Sequence, residues 1–209
     1  DFMATQPNYK GALTQYMTHP EEWTYHIPEG MTTMEGALVE PAAVGMHAAV
    51  LGGAQPGKSI VILGGGTIGL MVLQACISLG ATDITVVDVI EKRLELAKKL
   101  GAARVINGKE EDTVAVLRSE EMYGDHGVDL VFEAAGAVFT AQQAVQIVSR
   151  GGKIMMVGTQ SKPVPIDFLK INREVTIQTS FRYCNNFPQT IEAISSGRFN
   201  VKDMVTNIY

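Results

Sequence analysis

Gly64, Gly66 and Gly69 in "LGGGTIGL" have the G-x-G-x-x-G spacing. The triplet ends an apolar run, "SIVILG" (59–64), and opens a helical one, "TIGLMVLQACISLG" (67–80). In that setting the first glycine permits a tight turn and the second lets the backbone approach a pyrophosphate. The third lets helix and strand pack closely, with the helix N-terminus facing the phosphates. Asp88 closes the next apolar run, "ITVVD", 19 residues past Gly69. A carboxylate there can accept both hydroxyls of a ribose and repels a 2′-phosphate, so the expected dinucleotide is NAD rather than NADP. A methyltransferase also sets an acid at the end of its second strand and is the main chemical rival.

A second acid raises a different question. In "ALVEPAAVGMHAAV" (37–50), Glu40 stands alone among apolar residues, followed by Pro41. Burying an ionised carboxylate without a partner costs several kcal/mol, so Glu40 either reaches solvent or meets something positive. A denser polar cluster, Arg182, Tyr183, Cys184, Asn185 and Asn186, lies in "SFRYCNN". It reads either as a ligand-binding edge or as a polar turn whose Asn185 or Asn186 caps the next helix. Arg93 either meets the adenosine of a cofactor or is a solvated arginine between Glu91 and Glu95. The "VGT" run (157–159) ends an apolar segment where a cofactor's nicotinamide half would lie. His47, seven positions past Glu40, reads as a packed or surface imidazole. His19, His26 and His126 fall in loops without metal spacing. Cys76 sits in an apolar helix as a small core residue.

These residues need elements to hold them. Apolar runs at 59–64, 84–88, 104–106, 128–136, 153–158 and 174–181 alternate with helical patterns at 67–80, 91–101, 113–124, 138–151 and 186–197. Continuous rather than alternating apolar strands imply a parallel sheet covered on both faces. The expected fold is α/β: a Rossmann doubly wound sheet of six strands in the order 3-2-1-4-5-6. Ahead of it, residues 1–30 read as loops and short strands. "TTMEGALVE" offers a capping box, with Thr32 and Glu35 as partners. Pro41 predicts a short helix, a kink at Glu40–Pro41 and a second helix ending near Gly52–Gly53.

Composition sets limits. The 209 residues are 46% hydrophobic and 19% charged, with net charge −5, which gives no electrostatic reason to expect nucleic acid or an anionic membrane as partner. No apolar run approaches the roughly 20 residues that span a bilayer. Two cysteines in unrelated settings exclude a disulfide framework and a self-contained cysteine zinc site. The expected location is the cytoplasm. The chain opens at Asp1 and stops within "VKDMVTNIY", and the expectation is a fragment of a longer protein.

Together "EGALVEPAAVGMHA", "GGGTIGL", "VVD" with Arg93 five residues on, "EAAG", "GGKIMMVG" and "FRYCNNFP … VKDMVT" resemble the zinc-dependent medium-chain dehydrogenases, in the polyol branch of sorbitol and xylitol dehydrogenases. The resemblance runs from "FMATQP" to the end. It implies a GroES-like catalytic domain that holds zinc and a Rossmann domain that holds NAD. Residues 1–38 would be a remnant of the first, and 39–209 the second. The Cys and Gly-His-Glu segment that bind zinc in the family are absent from this sequence. The resemblance places Glu40 beside the zinc as an exchangeable ligand or a partner of its water, and Arg182 and Tyr183 on the polyol hydroxyls. Asp88 and Arg93 would hold the adenosine ribose. Gly64, Gly66, Thr67, Ile68 and Gly69 would form the phosphate turn, with Ala135 nearby. Val157, Gly158 and Thr159 would face the nicotinamide, and Ser180, Phe181 and Arg182 would border the cofactor. The implied partner is a small polyol or secondary alcohol, and the implied assembly a homo-oligomer. Isolated from the zinc ligands, the chain is expected to bind NAD without oxidising alcohol. A threonine or butanediol dehydrogenase, and an NAD(H)-sensing module without chemistry, are the rival readings.

Overall fold

Ile60 and Ile62 pack into one apolar cluster, while Val61 and Leu63 pack into another. A strand that feeds two cores must be covered on both faces, and that property organises the computed structural model. It describes residues 14–171 and 173–207. Most of the "FMATQP" end of the expected remnant (residues 1–13) and the last two residues of the tail lie outside the described residues. Six strands, β1 (Ser59–Leu63), β2 (Asp83–Asp88), β3 (Arg104–Asn107), β4 (Val128–Glu133), β5 (Val148–Met156) and β6 (Thr176–Thr179), form one sheet in the order β3-β2-β1-β4-β5-β6. Every pairing is parallel. The expected sheet is therefore the one observed.

Among the described residues seven α-helices cover it: α1 (Thr33–Gly52), α2 (Thr67–Ser78), α3 (Glu91–Lys99), α4 (Thr113–Leu117), α5 (Val138–Ile147), α6 (Phe168–Ile171) and α7 (Phe187–Ser195). Val39 and Met46 of α1, Leu70 and Leu73 of α2, Ala97 of α3 and Ile194 of α7 fill the first core. Leu117 of α4 and Ala144 and Ile147 of α5 fill the second. Because the strands are parallel, Leu63, Asp88, Glu133, Met156 and Thr179 all end at one edge of the sheet. Register confirms this: Leu63 pairs with Glu133, Glu133 with Met156, and Met156 with Thr179.

The start and end of α1 follow the sequence. Thr32 accepts from the Glu35 backbone N–H at 3.2 Å, and the Glu35 carboxylate accepts from the Thr32 backbone N–H at 2.8 Å. Gly53 closes the helix in the left-handed conformation, φ 75°. Its middle does not follow the sequence. Instead of two helices broken at Glu40–Pro41, α1 is one helix of 20 residues with Pro41 inside it. Local propensity loses to packing here: Ala42, Ala43, Met46, Ala48 and Ala49 are buried, and Gly45 lies so close to the Met71 backbone that a Cβ would overlap it. Burial of that face outweighs the missing donor.

Three other boundaries differ. The helix expected over 113–124 ends at Leu117. Arg118 donates instead to the carbonyls of Gln146 and Val148, and Gly124 and Gly127 turn the chain with positive φ. β5 starts at Val148 rather than 153, with an irregularity in its pairing to β4 between Val128 and Leu130. Residues 14–30 contain a one-turn 3₁₀ helix, Glu21–Trp23, and no strand.

Candidate functional site

The turn after β1 is built as its glycines require. Gly64, at φ +109°, donates to the Val87 carbonyl at 2.8 Å and lies against the β4 exit, where a Cβ would stand 2.8 Å from the Ala135 nitrogen. A Cβ on Gly69 would strike the Gly64 carbonyl, so the third glycine allows α2 to start this close to β1. Gly66 caps α2, and a Cβ on it would meet nothing within 4 Å. That open space at a helix N-terminus suits a pyrophosphate. Thr67 is exposed and Ile68 half-buried beside it.

Asp88 is buried at the end of β2, and its carboxylate reaches back to the turn. Oδ2 accepts from the Gly65 N–H at 2.7 Å, and Oδ1 accepts from the N–H groups of Val89 and Ile90 at 2.8 and 2.9 Å. Arg93 pairs with Oδ2 at 3.4 Å, so its guanidinium meets Asp88. The strand order reverses between β1 and β4, and in such sheets a dinucleotide lies across the carboxyl ends of the strands at that point. The residues present fit such a cofactor, with adenosine on the Asp88 side.

On the other side the sequence reading missed a residue. Glu133, at the end of β4, is fully buried. Its Oε1 accepts from the N–H groups of Ala135 (3.0 Å) and Gly136 (2.9 Å) and from the Thr140 hydroxyl (2.7 Å). Oε2 accepts from the Gln160 side-chain amide at 2.7 Å. The signal was present in "VFEAAG", an acid closing an apolar strand as Asp88 does, but its partners could not be read from spacing. Val157 and Gly158 are half-buried and Thr159 exposed beyond β5. Both Val157 and Gly158 donate to the Glu133 carbonyl at 2.8 Å.

Beyond β6 the chain takes strained backbone. Arg182 and Asn185 have φ of 54° and 52°, conformations that non-glycine residues rarely hold and that concentrate at functional sites. The Arg182 guanidinium lies 5.1 Å from the exposed Phe181 ring. The Ser180 hydroxyl is buried with no hydrogen-bond partner among the described residues. Asn186 does not cap α7 with its side chain. Its amide crosses to α1 and donates to the Ala43 carbonyl at 2.9 Å. Phe187 meets Tyr183 edge-on at 4.9 Å and stacks on Tyr25 at 5.5 Å.

This latch brings Tyr183 to Glu40. Glu40 is half-buried on α1, and its neighbour is the phenol. Partial burial, then the Glu40 charge and hydrogen bond, push the Tyr183 pKa up, and Arg182 opposes them. Glu40→Gln removes the charge and is expected to bring Tyr183 down toward the ordinary tyrosine value. Ultraviolet titration of wild type and variant at alkaline pH checks this, with Tyr183→Phe identifying the signal. Because the folded-state value is raised, the interaction is fully present at neutral pH. It is lost as pH rises past the ordinary tyrosine value, near 10, through the folded one. A Tyr183 titration unchanged by Glu40→Gln contradicts the contact.

Among the described residues no three or more of His, Cys, Asp and Glu converge to hold a metal. A catalytic zinc takes about three protein ligands, so the described residues alone do not fit one, and Glu40 stands as a single acid. Cys76 is buried, and burial pushes its thiol up, away from reactivity. Cys184 is exposed. No helix among the described residues is long and apolar enough to cross a membrane.

Comparison with known proteins gives matches over the whole of this architecture. The family described as zinc-binding dehydrogenase matches residues 67–196. Sorbitol dehydrogenase of Bacillus subtilis is 39% identical over 211 residues, covering 100% of this chain and 59% of that protein. A crystal structure of an Escherichia coli oxidoreductase/dehydrogenase of unknown specificity is 64% identical, with a TM-score of 0.96 over 100% of this chain and 60% of that one. An NADP-bound zinc-binding dehydrogenase from Sinorhizobium meliloti is 26% identical, with a TM-score of 0.89 over 95% of this chain and 59% of that one. The chain spans about 60% of the length of the curated relatives it matches.

Proposed function

We propose that this chain, which belongs to the zinc-binding dehydrogenase family, is the cofactor-binding part of an NAD-dependent enzyme that oxidises a secondary alcohol of a polyol to a ketose. The observation that carries the reading is the glycine turn after β1, fastened by the Asp88 carboxylate through the Gly65 N–H, with Arg182 held in strained backbone beyond β6 and Tyr183 next to it. A sugar alcohol presents several hydroxyls, and a carboxylate, a phenol and a guanidinium are the groups that bind them. The reaction transfers a hydride from the carbinol carbon and releases the hydroxyl proton, leaving a ketone and a reduced cofactor. When bound, NAD supplies the hydride acceptor.

The chain's own residues do the rest. Asp88 binds the adenosine ribose, and its charge disfavours a 2′-phosphate. The Gly64–Gly69 turn holds the pyrophosphate. Val157, Gly158, Thr159 and the unpartnered Ser180 hydroxyl border the nicotinamide half. Arg182 and Tyr183 orient the substrate hydroxyls, and Glu40 receives or relays the proton. The family's zinc-binding Cys and Gly-His-Glu segments are absent from this sequence, and the described residues do not hold a metal by themselves. The division into a catalytic-domain remnant at 1–38 and a cofactor domain at 39–209 belongs to the same proposal, as do a homo-oligomeric assembly and a cytoplasmic location.

The test is NADH formation by the full-length protein with sorbitol, xylitol, 2,3-butanediol and threonine as substrates. The expected result is turnover with a polyol. Preference for threonine or butanediol, or NAD binding without turnover on any of the four, overturns the polyol assignment.

A further inference from the structure

We propose that Glu133 is a positioning residue that fastens the wall of the crevice receiving the nicotinamide half of the cofactor. The inference rests on the cofactor reading above and goes beyond it. Glu133 makes no direct claim on a ligand, since it is fully buried. What it does is join two loops. Its Oε1 gathers the N–H groups of Ala135 and Gly136 and the hydroxyl of Thr140 at the start of α5, all in the β4 exit. Its Oε2 takes the side-chain amide of Gln160, from the β5 exit. Its own carbonyl receives Val157 and Gly158.

The two loops touch backbone to backbone around this carboxylate. A Cβ on Gly136 would stand 2.7 Å from the Thr159 carbonyl oxygen, and one on Gly158 would stand 2.8 Å from Oε2 of Glu133 and overlap Gly136. The partners of Glu133 among the described residues are all neutral donors. Burying a charge costs several kcal/mol where an apolar side chain of similar volume would be cheaper. A carboxylate has one capacity that an apolar residue lacks here: it holds several N–H and O–H groups of separate loops in fixed orientation. The loops so held lie beyond β4 and β5, the half of the sheet opposite the adenosine side at Asp88.

The role predicts a split between parts of the cofactor. ADP-ribose carries the adenosine, the pyrophosphate and the second ribose but lacks the nicotinamide ring. In the full-length protein, Glu133→Gln is expected to weaken NAD binding about tenfold, while ADP-ribose affinity stays within about twofold, both read by titration calorimetry. Gln160→Ala, which removes one tether from a loop, is expected to show the same split at about threefold and decides the matter if Glu133→Gln fails to fold. A merely structural carboxylate would weaken both ligands together, and that result, or unchanged NAD affinity in the folded variants, overturns the proposal. Wild-type protein that binds neither ligand removes the cofactor reading itself, a result distinct from a wild type that binds NAD and variants that bind it equally.

Discussion

Replacing Asp88 with serine and Val89 with arginine is expected to shift the ratio of NAD to NADP affinity by on the order of 100-fold toward NADP, or about 2.8 kcal/mol at about 1.4 kcal/mol per tenfold. The native carboxylate would face a 2′-phosphate at close range, and the new guanidinium offers it a bidentate partner. The structure adds a condition. Asp88 also fixes the phosphate turn, through Gly65, and the start of the segment leading to α3, through Val89 and Ile90. Serine is too short to hold all three, so the single variant Asp88→Ser is expected to weaken both cofactors before the arginine restores one. Asp88→Asn separates the effects, because it removes the charge and keeps an oxygen for Val89 and Ile90. Calorimetric titration of the three variants with both cofactors is the check. A wild type that prefers NADP, or a double variant with an unchanged ratio, contradicts the role given to Asp88.

Glu40→Ala should act on the other half of the reaction. In the full-length protein, turnover is expected to fall about 100-fold or more, the range in which a positioned proton-transfer group contributes. NAD affinity should stay within about twofold, since Glu40 lies on α1 while the cofactor turn and Asp88 follow β1 and β2. Glu40→Gln keeps the shape and the hydrogen-bond acceptor beside Tyr183 but cannot take a proton, so it should lose turnover nearly as fully. Steady-state kinetics with the polyol, together with NAD binding, separate the two. Unchanged turnover, or turnover and NAD affinity falling in step, removes Glu40 from the chemistry.

The sheet was legible in the sequence because its strands are apolar on both faces, and because a glycine triplet between strand and helix marks β1. Asp88 was legible for the same reason: an acid that ends a doubly buried strand has few purposes. The continuity of α1 was not legible. Proline at position 41 is a local signal, whereas the contact of Gly45 with Met71 that overrides it is made between two helices. Capping by Asn185 or Asn186 is one of two readings of that cluster, and the Asn186 amide instead bonds the Ala43 carbonyl, 143 residues away. Glu133 needed Thr140 and Gln160 to be recognised, and neither stands at a spacing that sequence patterns encode. Arg93 and Glu40 each have a neighbour that local spacing does not single out, Asp88 in one case and Tyr183 in the other.

The bond from Asn186 to Ala43 has a consequence for the order in which the chain matures. The ribosome delivers α1 long before α7, and at about 5–20 residues per second the separation of 143 residues takes roughly 7–30 s to synthesise. α2 can cover its side of α1 early in that interval, so the helix need not wait unprotected. Glu40 must wait, because the phenol that receives it is synthesised 143 residues later. The cofactor turn, encoded within β1 to β2, can be complete while the site beside Glu40 is still open. Nascent chains should therefore become able to hold the nucleotide before they can hold a substrate, and the latch between α1 and the segment before α7 is the step that ends the interval.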